Sequence, residues 1–249
     1  MDIDDLWREL IHDGDPAPTP FDPATLADLP QPAARWLARV VPAGAPLRQV
    51  VELEMVGRIR LGSRWMPFTA RQVLRAGVGF VWRPVVGGRL LRFTGADLLG
   101  PDGARMEFRF HGLIPVATGS GPDVARSAAG RLAAETVAWL PTAVVPQAGA
   151  TWSPVDHERA VVAVPTPSGP VDVTVAIDDD GRLASLTLER WKDSAEPPSL
   201  QPFGGDMADQ VSTGDGVGIA GAGTVGWDHG TPAWDEGRFF EFEVTGTGP

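Results

Sequence analysis

The chain has 249 residues, 43% of them hydrophobic, no cysteine, and a formal net charge of −11. That length can bury a sizeable core without a staple, and the missing cysteine excludes disulfides, thiolate metal sites and a cysteine nucleophile. The acidic balance argues against a nucleic-acid partner, since phosphate binding needs a concentrated basic surface.

Read in chain order, Asp4–His12 has Leu6, Leu10 and Ile11 on one side and suits a short helix. Residues 14–20, rich in proline, then interrupt regular structure. Residues 1–28 thus read as an N-terminal helix with a proline-rich lead, and 29–249 as a single β-rich domain. A second helix starts with Pro32 in its first turn, carries Ala33, Trp36, Leu37 and Val40 at helical spacing, and ends before Pro42.

From Leu47 the period changes from 3.6 to 2. Val51, Leu53, Met55, Ile59 and Leu61 alternate with charged residues, the mark of a half-buried strand. Further strands are predicted at Phe68–Ala76, Gly79–Val85, Arg89–Thr94 and Ala104–Gly112, followed by a helix over Ser127–Leu140 that Pro141 stops. Strands resume at Glu158–Val164 and Val171–Ile177, and the turn Asp178–Gly181 leads into a partner strand, Arg182–Trp191. Residues 197–237, rich in Gly and Pro, read as long loops with one or two short strands, and a last strand follows at Gly237–Val244. About nine strands and one mid-chain helix predict a mainly β protein, an antiparallel sheet curled around that helix, with polar faces turned to solvent.

Few residues carry chemistry. Gly216–Gly221 matches G-x-G-x-x-G, but it lacks the preceding strand and following helix that a dinucleotide site requires, so it reads as a glycine loop. His12, His111, His157 and His229 form no metal-ligand spacing, and no serine sits in a G-x-S-x-G elbow. No metal or cofactor is expected. On the strand Arg105–His111, Met106, Phe108 and Phe110 share one face, while Arg105, Glu107, Arg109 and His111 share the other. His111 is therefore either a solvated histidine or an acid–base group within a cavity. Glu135 lies beside the apolar stripe of its helix, three residues after Leu132 and four before Trp139. Two readings stay open for it: a surface pair with Arg131 at i−4, or a buried carboxylate held by Arg105 or Arg109 of the sheet. Asp97 falls in the connection before the Asp102-Gly103 turn.

Several segments together resemble a bacterial family of actinobacterial type that has no assigned function. They are Leu29-Pro30 with Arg35-Trp36-Leu37, Trp65-Met66-Pro67-Phe68-Thr69-Ala70, Gly79-Phe80-Val81-Trp82, and Arg131-x-x-x-Glu135-x-x-x-Trp139-Leu140-Pro141. The resemblance covers most of 29–244 and implies a lipoprotein-carrier-like open half-barrel, a curved antiparallel sheet with a helix on its concave face.

These readings converge on a module whose cavity binds an apolar or amphipathic small molecule. Trp65, Trp82, Phe108, Phe110 and Trp139 would line its walls, and Arg109, His111 and Glu135 would orient a polar end. The alternatives are a cofactor-independent isomerase or cyclase using His111 or Glu135, and a scaffold with a packed core. No apolar run approaches the ~20 residues of a membrane span. The acidic N-terminus lacks the positive region of a secretory signal, so the expected location is the cytoplasm.

Overall fold

The computed structural model describes residues 2–12 and 18–248. Most of the proline-rich lead expected at 14–20 lies outside them.

Among the described residues, thirteen strands form one antiparallel sheet that curves without closing. The first six follow one another as hairpins: β1 (Val50–Leu61), β2 (Arg64–Arg75), β3 (Gly79–Gly87), β4 (Arg92–Gly100), β5 (Gly103–Phe110) and β6 (Ile114–Ser120). The remaining seven form a second meander: β7 (Thr151–Pro154), β8 (Arg159–Val164), β9 (Val171–Ile177), β10 (Leu183–Lys192), β11 (Ser199–Ser212), β12 (Gly218–Trp227) and β13 (Arg238–Gly248). The two halves join where β13 pairs with β1, so β6 and β7 are the two edges.

The alternation on β1 sets the faces. Val51, Leu53 and Met55 are buried on the concave side, opposite Leu74, Gln72 and Ala70 of β2. The helix α1 (Ile3–His12) covers the convex side. Its Leu6 and Leu10 meet Val73, Val81 and Leu98 from β2, β3 and β4 in a small second core. Those strands are therefore apolar on both faces, and the Arg75 guanidinium donates to the carbonyls of Leu10 and Ile11 at the end of α1.

The helix α2 (Gln31–Val40) turns Trp36, Leu37 and Val40 into the main core against β8 and β9. The mid-chain helix α3 (Pro122–Trp139) lies within the curve of the sheet and touches strands from both halves. From Ser127 onward it is buried on nearly all sides, and six of its 18 residues are alanine, which allows close approach to the strands. It begins five residues before the predicted Ser127, because Pro122 can occupy a first turn without losing a bond.

The structure corrects the glycine-rich stretch. Residues 197–237 hold two of the longer strands, β11 and β12, rather than loops, and most of the G-x-G-x-x-G segment lies in β12. The pattern hides there because adjacent backbone and side chains fill the space that side chains would occupy: a Cβ on Gly221 would stand 2.8 Å from Val211, and one on Gly223 2.9 Å from the Phe242 ring. The strand predicted at Arg89–Thr94 is displaced to Arg92–Gly100, which places Asp97 in the sheet instead of in a connection.

Candidate binding cavity

Between α3 and the concave face lies a cavity of about 540 Å³. Its apolar wall includes Trp82 and Phe108 from the first half of the sheet and Phe203, Phe240 and Phe242 from the second, with Trp139 from α3. The rings pack edge to face and stacked. The Phe68 centroid is 5.0 Å from that of Phe240, and the Trp139 centroid is 5.3 Å from that of Phe242. The small residues Ala134 and Ala138 on α3 leave the space open.

One side of the cavity carries charge. Arg131 projects from α3 over the rings of Phe80 and Trp82, at 4.4 and 5.2 Å. Its Nε donates to Glu135 Oε1 at 2.6 Å, and its Nη1 donates to Asp97 Oδ2 at 2.7 Å. Gln72 completes the network: its Nε2 donates to Glu135 Oε2 at 2.6 Å, and its Oε1 accepts from Arg131 Nη2 at 3.3 Å. Burial pushes the Glu135 carboxyl above the ordinary carboxylate range, against the opposing pull of Arg131 and Gln72. Burial alone would lower Arg131, but Glu135 and Asp97 more than offset it and hold the guanidinium above its usual value.

A second arginine, Arg190 on β10, lines the same cavity and is left open. Its stem lies over Gly130 of α3, where a Cβ would stand 2.8 Å from Arg190 Cγ. Its Nε donates to the Ser127 carbonyl at 2.9 Å, and its guanidinium stacks on Phe203 at 4.5 Å and Trp227 at 5.2 Å. Among the described residues it forms no ion pair. Burial lowers it to about 10, and the nearby charge of Arg131 acts in the same direction. Trp82 Nε1, another buried donor of the cavity wall, has no acceptor among the described residues.

The structure distributes the sequence candidates unevenly. Trp82, Phe108, Glu135 and Trp139 meet at the cavity. Phe110 lies on the same face of β5 but packs on Phe93, 5.5 Å away, near the end of the hairpin. Trp65 is on the convex face, under the Arg58 guanidinium at 5.5 Å. Arg109 is exposed and pairs with Glu107 at 2.6 Å. His111 is past the end of β5, exposed, with φ of +50° in the turn to β6. The inward face of β5 is therefore the Met106/Phe108 face, and Arg109 and His111 are outside the cavity. Glu135 combines the two readings of its sequence. Its cation is Arg131 at i−4, and the sheet contributes Gln72 to it, and Asp97 to Arg131, in place of Arg105 or Arg109. Arg190 and Gln72 carried no sequence signal beyond their places on alternating strands. No group of His, Asp and Glu among the described residues is arranged to hold a metal ion.

Solved structures similar to this chain include the following three. A domain from Vibrio parahaemolyticus named for outer membrane lipoprotein sorting shares 9% identity at a TM-score of 0.43, covering 80% of this chain and 84% of that one. A LolA superfamily protein from Nitrosomonas europaea shares 8% identity at a TM-score of 0.43, covering 80% and 85%. A DUF1329 family protein from Desulfovibrio piger shares 12% identity at a TM-score of 0.42, covering 91% and 93%. No curated protein matches the sequence. Residues 19–239 match the model of the Family of unknown function (DUF6544), and the chain belongs to that family.

Proposed function

We propose that the protein binds an amphiphile, with the apolar chain in the cavity and an anionic end at Arg190. The carrying observation is the cavity itself. About 540 Å³ lies within the range of small-molecule sites, and its walls are almost wholly aromatic and aliphatic. Ten methylenes moved from water into such a space contribute on the order of 8 kcal/mol, against which the loss of ligand freedom on binding is set.

Arg190 supports the polar end of this reading. Arg131 already has two carboxylates, whereas the Nη atoms of Arg190 have no acceptor among the described residues. A carboxylate or phosphate there would compensate a cation that burial disfavours. An acceptor near Trp82 Nε1 would satisfy that donor as well. Catalysis has weaker support, because both Glu135 oxygens are engaged and His111 faces away from the space.

Displacement of a fluorescent fatty acid, with native mass spectrometry of the purified protein, tests the reading. We expect bound probe, displaced by long-chain carboxylates. Ala134→Phe should remove binding without lowering the melting temperature, since the ring enters open space. Arg190→Met should weaken carboxylates about tenfold or more while sparing a neutral chain of equal length. Absence of a co-purified ligand together with no probe binding would overturn the proposal.

A further inference from the structure

Antiparallel order brings three hairpin turns to one end of the first half-sheet: β1–β2 at 61–64, β3–β4 at 87–92 and β5–β6 at 110–114. Most exposed large apolar side chains cluster there, with Leu90 89% exposed, Leu113 78%, Ile114 60% and Val116 52%, joined by Leu61 and Leu91. Leu61 and Val116 also line the cavity, so this end is its mouth. Two of the turns are tied together, because His111 N donates to Arg92 O at 2.7 Å and His111 Nε2 sits 3.3 Å from Leu90 O.

The charge there runs against the rest of the chain. Residues 60–66, 87–96 and 109–117 hold Arg60, Arg64, Arg89, Arg92 and Arg109 without one Asp or Glu, in a chain of net charge −11. Arg64, Arg89 and Arg92 form no ion pair among the described residues. In the first half-sheet the nearest acid, Glu107, is paired with Arg109. The other acids of this end belong to the second half: Asp193 and Glu196 between β10 and β11, and Asp228, Asp235 and Glu236 between β12 and β13, where Asp235 is paired with Arg238 at 2.8 Å.

We infer that these turns dock on an anionic lipid bilayer, with Leu90, Leu113 and Ile114 entering the interface and the arginines meeting phosphates. Isolated exposed leucines need no explanation, but a cluster rimmed by unpaired cations at a cavity mouth does. Apolar side chains supply depth and arginines supply selectivity for negative headgroups. A surface of this sign would be repelled by the chain's own acidic faces, which disfavours any other orientation on the membrane. The inference stands on the turns alone and does not depend on what the cavity holds.

Flotation of the whole protein with phosphatidylcholine vesicles, with and without phosphatidylglycerol, tests it. We expect binding only to the anionic vesicles, weakening as salt rises. Leu90→Ser with Ile114→Ser should abolish flotation, and Arg89→Ser with Arg92→Ser should reduce it on the order of thirtyfold. These positions are exposed, so unchanged melting temperatures should accompany both changes. Equal flotation with neutral vesicles, no flotation with either, or insensitivity to both double variants would overturn the inference. So would self-association in solution that the Leu90→Ser with Ile114→Ser variant removes, since the face would then belong to a second copy of the chain.

Discussion

The two ends of the cavity use arginine in opposite ways. At the inner wall, Arg131 is saturated by Asp97, Glu135 and Gln72, with side-chain exposures of 16%, 22% and 13% for Arg131, Asp97 and Glu135. At the mouth, Arg89 and Arg92 are exposed, without ion pairs among the described residues, and flanked by exposed leucines. A buried cation is tolerated only when its partners are already in place, so the inner network fixes α3 against the sheet. Exposed cations cost little to leave open and remain available to something outside. The difference separates residues that hold the structure from residues that face a partner.

Breaking the inner network is the most damaging change. Arg131→Met would leave Asp97 and Glu135 side by side without a cation, and about 3 kcal/mol of stability should be lost in urea unfolding at neutral pH. Part of the loss should return on acidification, because protonation removes the unpaired charge. A deficit below about 1 kcal/mol at neutral pH would mean that water, not protein, satisfies these groups.

A finer contrast comes from Glu135→Gln, which leaves Arg131 with one carboxylate. The folded-state carboxyl of Glu135 is held above its ordinary value near 4.5, with burial the largest cause. The folded protein therefore takes up this proton more readily than the unfolded chain. The stabilising contribution is complete below the unfolded value and is lost as pH rises through the raised folded value. Stability curves of the two proteins should diverge over that window, the wild type losing ground relative to Glu135→Gln as pH rises. Parallel curves would show that pairing with Arg131 cancels the burial.

How much of this was legible follows from where each signal resides. The alternation of β1 and β5 announced a half-buried sheet, and Pro141 announced the end of α3. The helical spacing of Arg131 and Glu135 also suggested their pair. What stayed hidden depends on contacts distant in sequence. Asp97 reaches Arg131 across 34 positions and Gln72 reaches Glu135 across 63. Arg190 reaches the Ser127 carbonyl across another 63. None of these separations leaves a local pattern. The strand β12 was missed for a different reason, since its glycines yield their space to neighbouring backbone and side chains, the Phe242 ring among them, and alternation requires side chains to be visible.

The face of β5 shows the same limit at its smallest scale. Arg109 and His111 alternate with Met106, Phe108 and Phe110, and sequence alone could not say which set turns inward. The structure turns Met106 and Phe108 toward the cavity, so the polar set should be dispensable for ligand binding. Arg109→Ala removes an exposed ion pair, and its stability should change by no more than about 0.5 kcal/mol. His111 needs a subtler substitution because its backbone is left-handed, at φ of +50°. Glycine adopts that conformation without the Cβ penalty that histidine already carries, so His111→Gly removes the imidazole and keeps the turn. Both Arg109→Ala and His111→Gly should leave the affinity for a long-chain carboxylate unchanged within twofold, measured with soluble ligand and no vesicles. A loss comparable to that of Arg190→Met in either one would mean that the anionic end lies at the mouth and not at the inner wall.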